Sequence, residues 1–504
     1  MSITTLIKRL QDIMRGDAGV DGDAQRLSQI VWILFLKIFD YTEENWEYTE
    51  EDYQPVIPEG YRWRDWAVGE SVKDQLTGEE LINFVNNILF PVLRGNAIKD
   101  ENGSDVVLFE GTDHRSLLVK EFMTDSTNYM KDGILLRDII NLFEEVDFSD
   151  SDERHKFNDI YETLLRGLQS AGKSGEFYTG RALTGFCVEK VNPQIGESIA
   201  DFACGTGGFL IDALKHLQAQ IKDGDIEAND TLQKSLHGVE KKQLPYMLCT
   251  TNLLLNGIAE PDIVHGNSLE IDVSDYTEKD KFDVILMNPP YGGNEQKYIQ
   301  NNFPVDLRNS ETADLFMVEI LYRLKKNGRV AIILPDGFLF GSDNAKTNIK
   351  KKLMNECNLH TIIRLPKSCF KPYTDIATNL LFFDKTGRTN ETWFYRMDMP
   401  EGYKNFSKTK PLQRLHMSCI DEWWENRVEI KDTDTDTFKS KKFTYEEIES
   451  SGFNLDLCGF PIKEEEILSP AETISNFQAR RKELDEKMDM KLQSILQLLE
   501  VEVC

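Results

Sequence analysis

The segment Asp283-Val284-Ile285-Leu286-Met287-Asn288-Pro289-Pro290-Tyr291 joins an apolar run to a polar, rigid and aromatic exit. The run reads as a buried strand that delivers Asn288 at its C-terminal end. An amino nitrogen on an aromatic ring, or in an amide, is a poor nucleophile because its lone pair is delocalised. Two acceptors that hold its two N–H bonds draw the nitrogen toward sp3 and aim the lone pair. The side-chain oxygen of Asn288 and the carbonyl of Pro289 form such a pair. Proline fixes φ and brings no competing donor. Tyr291 then offers a ring face to a planar group such as a flipped base. The competing explanation is a plain turn, which would need none of this chemistry. Asn288, Pro289, Pro290 and Tyr291 are therefore the candidate catalytic residues.

A second group of residues suits a ligand rather than a reaction. Asp201-Phe202-Ala203-Cys204-Gly205-Thr206-Gly207-Gly208-Phe209 falls where a strand gives way to a helix. Glycines there permit positive φ and close approach of a ligand to the backbone. The following helix start offers free N–H groups to an anion. No Gly-Lys-Ser/Thr follows, so this is not a P-loop. The next strand candidate ends at Gly238-Val239-Glu240, where an acid at a strand tip can accept both hydroxyls of a ribose. Its distance from the glycine turn exceeds the roughly 20 residues of a dinucleotide fold. The polar stretch from Asp223 to Asp230 reads as the inserted loop responsible. A third strand ends at His265-Gly266-Asn267, and Asn267 could bond an adenine ring edge. Three polar tips on successive strands outline one nucleoside-shaped site.

These residues need a sheet to carry them. Strand candidates are 198–202, 235–240, 262–265, 282–287, 329–334, 360–365 and 379–383, with helical stretches between most of them. That alternation predicts an α/β fold with a mostly parallel sheet and helices on both faces, spanning 154–420. Residues 1–153 read as a mostly helical interaction domain, with helices predicted near 3–14, 24–40, 79–94 and 132–145. Acidic, aromatic loop sequence is expected between the second and third of these. Residues 421–504 read as acidic loop sequence followed by a long helix. Its apolar positions include Ile474, Phe477, Leu484, Met488, Leu492, Ile495 and Leu498. That spacing suits either packing on its own domain or a coiled-coil-like arm that docks a partner.

The chain has 504 residues, enough for two to four domains by length. The longest strongly apolar run, Ile30 to Leu36, falls short of the roughly 18 residues of a membrane span. The first residues lack the pattern of a secretory signal. Eight cysteines are scattered without a C-x-x-C pair, so neither a zinc site nor a disulfide framework is expected. A reducing, cytoplasmic setting follows as the expectation. The net charge is −28, divided as −18 over 1–153, zero over 154–420 and −10 over 421–504. Acidic flanks repel a phosphate backbone. If the chain acts on nucleic acid, a basic partner must help it.

With the Asn-Pro-Pro-Tyr tetrad and the Asp-x-x-x-Gly-x-Gly-Gly turn in place, the sequence resembles S-adenosylmethionine-dependent amino methyltransferases. The segment Gly175-Glu176-Phe177-Tyr178-Thr179-Gly180-Arg181 is similar, more narrowly, to the cofactor-proximal segment of modification subunits of type I restriction–modification systems. Gly266-Asn267-Ser268-Leu269, Gly328 to Pro335, Thr378 to Phe383 and Ile57 to Trp63 agree as well, so the resemblance covers most of the chain. It implies a Rossmann-like methyltransferase domain. Glu176, Phe177, Tyr178, Thr179, Gly180 and Arg181 would then contact S-adenosylmethionine. So would Asp201, Gly205, Thr206, Gly207, Gly208, Glu240 and Asn267. Asn288 to Tyr291 would hold a target adenine at N6 in double-stranded DNA. Gly180 stands where the family usually has proline, and Asn267 where related enzymes often have Asp. The resemblance also implies a specificity subunit that reads the DNA sequence. Two modification subunits per specificity subunit, and a restriction subunit in the full complex, follow from it too. Neither a metal nor a membrane is implied.

The same tetrad would serve a protein glutamine side chain or an RNA base. A catalytically silent assembly subunit is the rival from another class, although a scaffold has no use for Asn288.

Overall fold

The computed structural model describes residues 3–68, 76–100, 102–146, 161–163, 178–371, 373–407, 409–432, 437–460 and 470–501. Helix α1 (Asp23–Thr49) is apolar on every side from Ile30 to Leu36, and each of those residues is buried. A helix of that kind must be surrounded. Further helices lie at Ile3–Gly16, across 78–93 and at Gly133–Glu144, where the apolar spacing predicts them. One more, His114–Thr124, is not evident from the spacing. It begins at Asp113, whose side chain accepts from the backbone N–H of Arg115 and Ser116.

Ten strands form one sheet: β1 (Ile199–Asp201), β2 (Leu236–Glu240), β3 (Asp262–His265), β4 (Phe282–Met287), β5 (Leu324–Pro335), β6 (Asn358–Arg364), β7 (Thr378–Asp384), β8 (Glu391–Arg396), β9 (Ile430–Lys431) and β10 (Phe438–Thr444). Their spatial order is β9-β10-β8-β6-β7-β5-β4-β1-β2-β3. From β3 to β5 every neighbouring pair is parallel. β7 runs antiparallel between β5 and β6. The chain leaves β1 for β2 on one side and returns through β4 on the other. At such a reversal the crossover helices diverge and a crevice opens beyond the strand ends.

Helices α2 (Gly208–Gln218) and α3 (Gln243–Leu255) connect the first strands. α1 packs against α3, so the helical region rests on a helix that also borders the crevice. Arg115 strengthens this junction. Its guanidinium lies 3.8 Å from the Trp46 ring and pairs with Glu50 at 2.6 Å and Glu260 at 2.8 Å.

The predicted third region, 421–504, is divided in the structure. Met1–Gly459 form one compact unit and Phe460–Cys504 a second. Two strands of the expected acidic segment, β9 and β10, extend the sheet, with β10 paired antiparallel to β8. β10 escapes the sequence reading because lysines at 439, 441 and 442 break its apolar alternation. The second unit contains the expected long helix α4 (Pro470–Val501). Its Ile474, Phe477, Leu484, Met488 and Leu492 side chains are each more than half exposed. Among the described residues no helix is long and apolar enough to cross a membrane.

Candidate active site

The crevice lies at the C-terminal ends of β1, β2, β3 and β4. β1 is buried along its whole length and ends at Asp201. The chain then turns through Gly205 (φ 55°) and Gly207 (φ 81°) before α2 begins. Gly207 needs both its conformation and its lack of a side chain, since a Cβ there would stand 2.8 Å from Cys249 Sγ on α3. Asn252, also on α3, donates to the Thr206 carbonyl at 3.1 Å. Arg181 donates to the Gly208 carbonyl at 2.6 Å and pairs with Glu162 at 2.7 Å. Tyr178 donates to Glu162 at 2.6 Å.

The next two strand tips close around this turn. Glu240 is buried, and its carboxylate accepts from the Gly205 N–H at 2.9 Å and the Lys242 N–H at 2.6 Å. Asp201 accepts from the Ala203 N–H at 3.1 Å. Burial, opposed by that bond and reinforced by nearby Glu240, pushes the Asp201 carboxyl up to about 8. Asn267 uses its side-chain oxygen to cap Leu269 N–H at 3.3 Å. Its Nδ2 is buried and has no hydrogen-bond partner among the described residues.

Asn288 follows the four buried residues that end β4. Its Nδ2 donates to Thr179 Oγ1 at 3.0 Å. Its Oδ1 accepts a hydrogen bond from the Tyr291 hydroxyl. The Tyr291 ring meets Phe370 edge-on, with centroids 6.2 Å apart. Burial drives the Tyr291 phenol well above its ordinary pKa, so the hydroxyl stays protonated and able to donate.

One cleft joins the two groups. Thr179, Asp201, Gly205, Gly208, Glu240, Asn267, Asn288 and Pro290 line it. Residues predicted separately for ligand binding and for chemistry thus share one space. Others take supporting places. Tyr178 and Arg181 are not among the lining residues and engage Glu162 instead. Gly180, Thr206, Gly207, Pro289 and Tyr291 also lie outside the lining set. Glu176 and Phe177 lie outside the described residues.

The sequence reading misses Glu162, Lys241, Glu295, Thr312 and Phe316. The last four line the cleft, and Lys241 and Glu295 pair across 3.7 Å. Thr312 and Phe316, four residues apart on one helix, carry a local signal of a shared face. Their place at the site depends on a return of the chain after Tyr291. There Gly293 accepts from Thr312 N–H at 3.0 Å and Ser310 from Glu295 N–H at 2.8 Å. Nothing local to Glu162 announces its role.

Comparison with known families decides what this arrangement is. A family described as N-6 DNA Methylase matches residues 152–467. This chain belongs to that family. Residues 3–143 match a second family, described as the HsdM N-terminal domain. The N-6 DNA methylase relatives include the EcoEI type I restriction enzyme methylase subunit of Escherichia coli. It is 48% identical over 96% of this chain and 96% of its own. The EcoKI methylase subunit of Escherichia coli is 28% identical over 78% of this chain and 70% of its own. A modification subunit of a putative type I restriction enzyme from Vibrio vulnificus YJ016 superposes with a TM-score of 0.76. It is 38% identical and covers 91% of this chain and 96% of its own. The N-6 DNA methylase family, the helical N-terminal domain and these relatives make the chain a modification subunit of the type I kind, an adenine-N6 DNA methyltransferase. The predicted α/β methyltransferase fold with its helical N-terminal region is the fold observed.

Proposed function

We propose that this chain transfers the methyl group of S-adenosylmethionine to N6 of an adenine turned out of duplex DNA, at a sequence chosen by a separate specificity subunit. The observation that carries this reading is the shared cleft, in which Asn288 faces the same space as Asp201, Glu240 and Asn267. The residues fit the cofactor. Asn267 holds a buried, unpartnered Nδ2 suited to an acceptor on an adenine ring. Glu240 places a buried carboxylate at the tip of β2, on the cleft wall, the group suited to accept from ribose hydroxyls. Asp201 supplies a second acid for cationic groups.

When bound, the cofactor supplies an electrophilic methyl group on a sulfonium that is already a good leaving group. The protein's task is therefore positioning. Asn288 Oδ1 and the Pro289 carbonyl accept the two N6 hydrogens, and the Tyr291 ring stacks on the base. The N6 proton leaves to water after transfer. N6 is paired inside the duplex, so the base must leave the stack first.

Charge supports the shared labour. With flanks at −18 and −10, the chain has little means of gripping phosphate alone. A specificity subunit would supply base recognition, with two copies of this chain on each, and a restriction subunit would complete the cytoplasmic complex. The exposed apolar residues of α4 are the docking arm in this reading. Co-expression with a specificity subunit should place N6-methyladenine at one sequence, read by single-molecule sequencing of the host DNA. Removal of the chain from Ile474 onward should leave cofactor binding by calorimetry intact and prevent co-purification. A complex that assembles and binds S-adenosylmethionine yet leaves no N6-methyladenine would refute the proposed activity. Normal assembly of the truncated chain would refute only the docking arm.

A further inference from the structure

An asparagine that must present its oxygen to an amino group has an intrinsic ambiguity. The two ends of a carboxamide are nearly the same size, and a half-turn about its last bond exchanges acceptor for donor. The exchanged form would set N–H against N–H, and one N6 hydrogen would lose its acceptor. Something must hold the Asn288 amide with Oδ1 forward while the base is in place.

The structure shows two groups on that amide: Tyr291 O–H on Oδ1 and Thr179 Oγ1 on Nδ2. They differ in what happens when a base arrives. One N6 hydrogen needs the oxygen that Tyr291 engages, and the Tyr291 ring, which does not line the cleft, must turn to stack on the base, so its hydroxyl gives way as the base is taken up. Thr179 bonds the far end of the amide, which the base does not need. Its hydroxyl can therefore stay bonded throughout. Thr179 is also placed to be a fixed post. It lies two residues before Arg181, which is tied to both Glu162 and the carbonyl of Gly208.

We infer that Thr179 is the positioning residue for Asn288, holding the amide by its nitrogen so that its oxygen stays aimed at the adenine amino group after Tyr291 lets go. This rests on the proposed N6 chemistry and assigns Thr179 a role toward the base, beyond any contact with the cofactor. Thr179 is not a catalytic residue in this role, because it acts through Asn288.

The test uses the full chain assembled with its specificity subunit, on a plasmid carrying the site mapped by N6-methyladenine sequencing. Thr179→Val keeps the shape and removes the hydroxyl. Thr179→Ser keeps the hydroxyl. A loosened reacting geometry should lower kcat for Thr179→Val by on the order of 10- to 100-fold. The dissociation constant for S-adenosylmethionine should stay within about threefold of the parent, because the lost bond is to Asn288. A 2-aminopurine at the target position should still brighten, since base flipping relies on Tyr291. Thr179→Ser should restore most of kcat. The inference is overturned if Thr179→Val transfers methyl groups at the parent rate. Loss of cofactor affinity in parallel with kcat overturns it too, because Thr179 would then serve the cofactor. So does failure of Thr179→Ser to recover activity while its cofactor affinity is normal. If the parent complex itself makes no N6-methyladenine, the underlying reading fails first, and that outcome is distinct from all the others.

Discussion

The two halves of the cleft are built on different kinds of bond. On the side proposed for the cofactor, Glu240 and Asp201 accept from backbone N–H groups, and the turn between them is fixed by positive-φ glycines. On the base side, Asn288 is held by two side-chain hydroxyls, Thr179 and Tyr291. A backbone donor cannot leave without moving the chain. A hydroxyl is released by rotating a side chain. The first half is thus a preformed receptacle, and the second is a set of bonds ready to be exchanged. Taking a compact cofactor from solution and a base from a distorted duplex, as proposed for this site, needs both.

Breaking the base half should have the largest effect. Asn288→Ala should reduce methyl transfer, followed with a tritiated cofactor, at least 10-fold and toward the limit of detection. Calorimetry should find cofactor affinity within about threefold, because the receptacle keeps its own bonds. Activity above a tenth of the parent would remove Asn288 from its role.

A break on the cofactor side should move the other constant. Glu240→Gln keeps the shape but loses the charge, and its amide end meets a backbone N–H as donor against donor. Hydrogen bonds to a charged group are worth about 1.5–3 kcal/mol, so cofactor affinity should fall by roughly 10- to 150-fold. At saturating cofactor, the rate should fall far less. Unchanged affinity would mean that Glu240 serves only the turn.

The smallest effect sharpens the comparison through pH. The Asp201 carboxyl is raised to about 8 from an ordinary value near 3.8. Between those values the folded chain keeps a proton that the unfolded chain has lost. This group's contribution to stability therefore declines as pH rises from about 4 to 8. Thermal melts of Asp201→Asn should show a flatter profile over that window. In the parent, a cationic ligand beside Asp201 favours the ionised form, so cofactor binding at pH 7 should release protons. Calorimetry in buffers of different ionisation heat measures that release, and Asp201→Asn should diminish it.

Much of this site could be read locally. β3 and β4 fall on the residues predicted for them, because a short strand with an apolar stretch, Ile263-Val264 in one and Val284 to Met287 in the other, followed by a polar tip needs no distant information. The glycine turn and the Asn-Pro-Pro-Tyr exit are legible for the same reason. Glu162 is not, since it matters only through Arg181 and Tyr178. Nor is Lys241 facing Glu295, which depends on a loop folding back over the cleft. β8 went unread because Glu391 and Arg396 charge both ends of a six-residue strand. Locally encoded elements are the visible ones, and groups that act by holding another residue stay hidden.

The lysine-bearing ribbon beyond β8 has a consequence for how the chain survives its own synthesis. β10 covers Glu391–Tyr395 of β8 almost residue for residue, and the sheet then ends in the two-residue β9. A chain stopping at residue 420 would retain every residue of the cleft and still leave the outer edge of β8, on the side away from β6, as a bare row of N–H and C=O groups. Such a row invites pairing with another molecule, whereas a very short strand beside lysines discourages it. Until the ribosome has added the last strands, the nascent chain carries a sticky border. The lysine-bearing ribbon then serves as a selvedge that keeps one sheet from being sewn to the next.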